Sequence, residues 1–144
     1  MNIKFFLNFE PNPPTVTHQE KKVRVVSGRP VFYMPPELAS ARALLAAKLR
    51  PFAPKEPLDG PVRLSVSWVF RSPQGWRGPL PAYKVTKPDT DNLQKMLKDV
   101  MTQCGFWKDD AQVCMEQIVK YIFPATAKHG IFIDISTLER SAEK

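Results

Sequence analysis

The sequence predicts an α+β domain built on a mixed β-sheet with two main helices. Two observations lead to this. In residues 62–70, Val62, Leu64, Val66, Trp68 and Phe70 alternate with Arg63, Ser65 and Ser67, the period of two expected of a half-buried strand. Residues 91–104 instead carry Leu93, Met96, Leu97, Val100, Met101 and Cys104 at the spacing of one helix face. Strands at both ends of the chain, with helices between them, point to strand, helix, strand, helix, strand in that order.

Each element has its own local reason. Ile3, Phe5, Leu7 and Phe9 repeat every second residue, and Pro11-Asn12-Pro13-Pro14 stops the strand. Residues 22–34 are β-branched runs around Ser27-Gly28, which predicts a hairpin. Pro35-Pro36 opens a helix through ELASARALLAAKL, rich in Ala and Leu. Residues 71–88 carry prolines, glycines, Trp76 and positive charges, and predict a long basic loop. Asp91, Lys95, Lys98 and Thr102 fall opposite the apolar face of the second helix, and Gly105 is placed to end it as a left-handed cap. Phe106-Trp107 predict an anchor for the following turn. Residues 112–123 alternate with Val113, Met115, Val119, Tyr121 and Phe123 on one face, and residues 131–135 form a last strand. From Leu138 the chain is polar and predicts a frayed tail. The 144 residues suit one domain with one core.

No run approaches the roughly 20 apolar residues of a membrane span, and the first residues lack the pattern of a signal peptide. Cys104 and Cys114 make no disulfide framework, which fits a reducing, intracellular setting. Neither they nor His18 and His129 have the spacing of a zinc site. The net charge of +7 points to an anionic partner, most often nucleic acid. Between Asp59 and Asp89 there is no acid, while Arg71, Arg77, Lys84 and Lys87 lie there; Lys21, Lys22, Arg24 and Arg29 form a second basic group. These eight side chains are candidate phosphate contacts. Trp76, among basic residues, could stack on an unpaired base or pack against the domain.

Against this positive background, five acids gather in residues 89–110: Asp89, Asp91, Asp99, Asp109 and Asp110. One reading is structural. Asp91-Asn92-Leu93-Gln94 matches a capping box, Asp109-Asp110 is an ordinary polar turn, and Asp91 with Lys95 is a surface pair. The chain would then be a non-catalytic binding protein for branched DNA or RNA. The other reading is a metal site. Asp89 and Asp91 stand two residues apart where a helix begins, so their oxygens can converge and repel, and a divalent cation removes that conflict. Asp110 would complete the cluster if the fold returns its turn to the helix start. Lys95, one turn beyond Asp91, could then stabilise charge on a scissile phosphate.

Lys87-Pro88-Asp89-Thr90-Asp91-Asn92-Leu93-Gln94-Lys95, followed by Gly105-Phe106-Trp107-Lys108-Asp109-Asp110-Ala111-Gln112-Val113, resembles the RusA family of Holliday junction resolvases. Both halves of that family's pattern, D-x-D-N-L-x-K and W-x-D-D-x-Q-V, occur in order and at the expected separation over residues 87–113. The resemblance implies a Mg²⁺-dependent endonuclease that nicks four-way DNA junctions symmetrically as a homodimer, in DNA recombination and repair. It implies that Asp89, Asp91 and Asp110 bind the metal and that Lys95 is the catalytic lysine. It also implies a cytoplasmic protein encoded by a bacterium or a prophage.

Overall fold

The structure is a computed structural model and describes residues 1–16 and 22–141; at residues 22–24, 31 and 32 only the backbone is described. In chain order the elements are β1 (Asn2–Asn8), β2 (Lys22–Val26), β3 (Arg29–Tyr33), α1 (Pro36–Leu49), β4 (Val62–Arg71), β5 (Ala82–Tyr83), α2 (Thr90–Gln103), β6 (Val113–Phe123) and β7 (Gly130–Thr137). Strands β1, β7, β4, β6 and β5 form one sheet in that order, and β2 and β3 form a separate hairpin. Only the β4–β6 pair is parallel, so the sheet is mixed as expected. Parallel neighbours need a long crossover, and here it contains α2. That connection carries the acid-rich segment.

One sheet face is the core face. Val62, Leu64, Val66, Trp68 and Phe70 of β4 are buried on it, with Phe5 and Leu7 of β1 and Ile131, Ile133 and Ile135 of β7. Leu38, Leu45 and Leu49 of α1 and Leu93, Met96, Leu97, Val100 and Met101 of α2 belong to the same core. The other face is more polar. There the Arg63 guanidinium meets Asp134 at 3.0 Å and donates to the Ser136 hydroxyl at 2.8 Å. Ser27 and Gly28 turn the hairpin with positive φ at both positions, the backbone twist that a two-residue turn between antiparallel strands favours. Gly130 also has positive φ, and a Cβ there would overlap the Leu7 carbonyl oxygen where β7 meets β1.

The sequence expectations need four corrections. The apolar series Val113, Met115, Val119, Tyr121 and Phe123 is not the core face of β6: Met115 is exposed, Ile122 is buried and Ile118 packs against the core. The strand has apolar residues on both faces; after the irregularity at Cys114 the core face is the even-numbered one, while Val113, before it, also packs against the core. The helix cap is Asp89 rather than Asp91, so the expected capping box at Asp91–Gln94 does not form. The loop 71–88 contains the two-residue edge strand β5. The segment after Leu138 is held rather than frayed as far as it is described. The Leu138 amide donates to the Pro61 carbonyl at 2.9 Å, and Arg140 pairs with Asp59 at 3.0 Å.

His129, isolated in sequence, is fully buried and has an acceptor at each ring nitrogen. The Glu10 carboxylate is 2.9 Å from Nδ1, and the Pro124 carbonyl is 2.9 Å from Nε2. The bonds from the His129 ring and backbone amide hold the Glu10 carboxyl below its ordinary range. A depressed carboxyl pKa contributes stability that is present above the unfolded value and is lost as pH falls through the folded one. We expect Glu10→Gln to lower the melting temperature at neutral pH, with the gap from wild type closing as pH falls below the ordinary value of 4.5. Thermal melts across pH check this, and a gap that does not change with pH would refute it.

Candidate active site

The D-x-D segment lies at the start of α2. Asp89 is the N-cap in extended conformation; its side chain makes no capping bond, and its carbonyl accepts from the Leu93 amide at 3.1 Å. Asp91 sits in the first turn, where a carboxylate is favoured by the helix dipole. Lys120 of β6 fixes the approach to the helix, donating to the carbonyls of Thr86 and Pro88, both at 2.8 Å.

The second segment is held from several sides. Phe106 and Trp107 are buried, as their placement after Gly105 predicts. The Trp107 indole N–H donates to the Thr102 hydroxyl at 2.7 Å, and the Leu58 amide to the Phe106 carbonyl at 2.9 Å. Gln112 then locks the turn. Its Oε1 accepts from the amides of Lys108 at 3.0 Å and Asp109 at 3.1 Å. Its Nε2 donates to the carbonyls of Leu58 and Gly60, each at 2.9 Å. The Asp109 carboxylate accepts from the Ala111 amide at 2.9 Å and caps the short 3-10 turn Asp110–Gln112. The two adjacent aspartates therefore differ: Asp109 is committed to the backbone, and Asp110 is turned to the cleft beside α2.

That cleft has a volume of about 420 Å³ and brings together Asp91, Lys95 and Asp110. Asp89, exposed at the helix cap, is not on its wall. Among the described residues, Asp91, Lys95 and Asp110 have no side-chain hydrogen bond or ion pair, so the expected Asp91–Lys95 pair does not form. Among the described residues, no three His, Cys, Asp or Glu side chains are gathered closely enough to hold an ion.

Six further cleft residues escaped the sequence reading as site residues: Thr90, Gln94, Lys98, Asp99, Glu116 and Ile118. Gln94 is buried and donates from Nε2 to Glu116 at 2.9 Å, while its Oε1 has no partner among the described residues. Lys98 lies 3.3 Å from Glu116, and Asp99 is 4.0 Å from Arg42. Gln94 did leave a signal, since it stands three and seven residues before Leu97 and Met101 and thus on the apolar stripe. Glu116 left none, because the β4–β6 register slips between Val62–Val113 and Arg63–Met115, leaving Cys114 as an extra residue. Such a bulge changes which side chains face the core. The residues lining the wall include the acids Asp91, Asp99, Asp110 and Glu116 and the lysines Lys95 and Lys98, and neither cysteine nor histidine. This donor set suits a hard divalent cation that keeps part of its water.

The predicted basic residues whose side chains are described, Arg29, Arg71, Arg77, Lys84 and Lys87, lie outside this cleft. Arg29, Arg71, Arg77 and Lys87 are exposed. Lys84 is half-buried; it donates to the Thr86 hydroxyl at 2.8 Å and lies 5.0 Å over the Phe70 ring. Burial, and then the Lys120 charge, push its pKa down. Lys22 and Arg24 are placed on β2 by backbone alone, and Lys21 lies outside the described residues, as does His18. Arg71 and Trp76 line a second, larger cleft of about 840 Å³ with Asn12 and Gln74. Trp76 remains 39% exposed, so it is not absorbed into the core. Cys104 packs against the core, and both cysteines are free. Among the described residues no helix is long and apolar enough to cross a membrane.

Comparison with known proteins adds an independent finding. The sequence family Endodeoxyribonuclease RusA matches residues 11–136. The crossover junction endodeoxyribonuclease rusA of Lactococcus phage r1t is 32% identical over 116 residues, covering 77% of this chain and 83% of the phage protein. Over 32 residues, RusA of Escherichia coli strain K12 and rusA of Enterobacteria phage 82 are each 56% identical, covering 22% of this chain and 27% of either protein.

Proposed function

Because the chain belongs to the Endodeoxyribonuclease RusA family, we propose that it resolves four-way DNA junctions by paired symmetric nicks in a Mg²⁺-dependent reaction. Asp91, Lys95 and Asp110 are set on two separate elements, yet they line one cleft. That convergence supports the reading most directly. In it, Asp91 and Asp110 bind the cation, joined by Asp89 at the helix cap, and Lys95 is the catalytic lysine. The bound cation would polarise the scissile phosphate and acidify a water. The Lys95 ammonium, on the cleft wall, would stabilise the charge that develops as water adds to phosphorus and the sugar oxygen leaves.

The surface around the cleft is assigned to DNA. Arg71, Arg77 and Lys87 would contact phosphates from the loop, with Lys84 more restrained; Lys21, Lys22, Arg24 and Arg29 would do so from the hairpin. Trp76, partly exposed beside Arg71, is available to stack on an unpaired base at the branch point. Two scissile phosphates related by a two-fold axis call for two identical sites, hence a homodimer.

The experiment is cleavage of an end-labelled synthetic four-way junction with Mg²⁺ and with EDTA. The expected result is symmetric nicking with Mg²⁺ alone. Binding with no cleavage under any divalent ion would return the aspartates to the role of helix and turn caps, in a protein that holds branched nucleic acid without cutting it.

A further inference from the structure

We propose that the second cleft, between Arg71 and Trp76, is a subsite for one unpaired nucleotide of the branched substrate; this deepens the nuclease reading above. Trp76 stacks on the base, Asn12 and Gln74 meet the base edge, and Arg71 holds the phosphate. The cleft, of about 840 Å³, lies where the chain leaves the end of β4. In the register of β4 and β6, Arg71 stands beside Phe123 and Trp68 beside Lys120. Lys120 in turn donates to the Pro88 carbonyl at 2.8 Å, one residue before Asp89. Three residues of a strand span about 10 Å, which is about three steps of a stacked DNA strand at roughly 3.4 Å each. A DNA strand that enters the catalytic cleft can therefore reach this one within a few nucleotides.

The walls are fixed from beneath. The His129 ring is fully buried and lies 2.9 Å from both the Glu10 carboxylate and the Pro124 carbonyl. Glu10 precedes Pro11 and Asn12, and Pro124 precedes Ala125; those three residues line the cleft. One buried ring thus sets two of its walls. The wall from β4 is tied to them: the Arg71 amide donates to Asn12 Oδ1 at 2.6 Å, and the Ser72 amide to the Phe123 carbonyl at 2.9 Å. The Trp76 amide closes the next turn onto the Pro73 carbonyl at 3.0 Å. The groups left over are those that a nucleotide uses. A backbone N–H can only donate, so it takes the Asn12 oxygen and leaves the two side-chain N–H donors. Among the described residues, neither these donors, the Gln74 amide nor the Arg71 guanidinium makes a hydrogen bond. Side-chain amides pair with base edges, a guanidinium forks onto a phosphate, and an indole face stacks on any base. Trp68 and Trp107 are buried, whereas Trp76 is 39% exposed on the cleft wall. Among the described residues no acid lines this cleft, and Glu10, next to Pro11, is taken by His129. It is therefore unlike the catalytic cleft in chemistry, and suited to DNA rather than to a cation.

The test titrates the full chain, in EDTA, into dye-labelled single-stranded tetranucleotides of dA, dC or dT. Anisotropy reads the affinity. Unlabelled strands are added to the wild type to read tryptophan emission, which reports on Trp76 because the other two indoles are buried. We expect binding without a divalent ion, with quenched emission. A base–aromatic stack is worth about tenfold or more in affinity, so Trp76→Leu should bind at least about tenfold more weakly, at unchanged salt dependence, with partial recovery in Trp76→Phe. Arg71→Gln should weaken binding and lower the salt slope by about 0.7. Gln74→Ala should level the affinities for the different bases. Tetranucleotides of abasic sites should bind wild type as weakly as Trp76→Leu binds the intact strands, a comparison that needs no variant to fold. If abasic and intact strands bind the wild type alike, or Trp76→Leu binds intact strands as the wild type does, the nucleotide subsite is overturned, whether or not junctions are cut. If the strands bind as expected but the wild type cuts no four-way junction with Mg²⁺, the subsite stands and the nuclease reading fails.

Discussion

Asp110→Asn is expected to reduce junction cleavage by about a thousandfold while Asp109→Asn, one residue away, leaves most of it. Both turns should fold, because asparagine matches aspartate in size and neither substitution alters the Gln112 bonds. The difference lies in what each oxygen does. The Asp109 carboxylate accepts from the Ala111 amide at 2.9 Å, and an asparagine carbonyl oxygen can do the same, so little of the cap is lost. The Asp110 carboxylate has no such bond among the described residues and lines the cleft. An amide there cannot supply the negative charge that holds a divalent cation. Loss of one electrostatic group at a reacting centre commonly costs about 10²–10³ in rate, and loss of a cation ligand belongs at the upper end. Asp91→Asn should resemble Asp110→Asn, with a loss of roughly 0.3–1 kcal/mol of stability as its charge leaves the first turn of α2. Junction binding should persist or tighten in both variants, because a negative charge near the phosphates has been removed. Gel-shift and cleavage assays on the same preparations check this. Equal effects at Asp109 and Asp110 would refute the division of roles between them.

How much of this was legible in the sequence varied with the range of the interactions involved. The helices, β4, the hairpin and the Phe106-Trp107 anchor were legible because periodicity and turn residues act locally. That Asp91 and Asp110 share a cleft was only conditional in the sequence. It depends on α2 lying in the crossover between two parallel strands, and strand order is set by pairings such as Phe5 with Ile133, far apart in the chain. Two locally sound inferences failed for physical reasons. The capping box matched at Asp91, but the helix begins at Thr90 and takes Asp89 as its cap; the reciprocal box forms instead at Asp109 and Gln112. The faces of β6 were assigned from apolar residues, although the strand is apolar on both sides and only the covering helices decide which side is core. Glu116 was hidden by the bulge at Cys114, for strict alternation cannot register one extra residue. His129 was unreadable because its partner Glu10 lies at the other end of the chain.

Gln112→Leu is expected to cost both stability and activity, although the residue touches no substrate in the proposed reaction. Its amide makes four bonds, two accepted from the turn and two donated to the carbonyls of Leu58 and Gly60. Leucine has a similar size and makes none of them. Each partner left unmet in a partly buried place costs on the order of 1 kcal/mol or more, so a total of about 2–4 kcal/mol is expected, some of it recovered by water. For a domain of this size that corresponds to a fall of roughly 5–15 °C in melting temperature. The activity loss should exceed what unfolding explains. The turn that Gln112 ties to the 58–60 segment is the one that carries Asp110, and displacement of a reacting group by about 1 Å can cost 10²-fold. Cleavage measured well below the melting transition should therefore still fall by about that factor. Gln112→Glu separates the two halves of the role. Its carboxylate can accept from the Lys108 and Asp109 amides but cannot donate to the two carbonyls, so the turn should close locally while losing its tie to Leu58 and Gly60. If Gln112→Glu cleaves like wild type, local closure of the turn is sufficient to place Asp110. If it cleaves like Gln112→Leu, the tie to the 58–60 segment is what places it, as the bond geometry predicts.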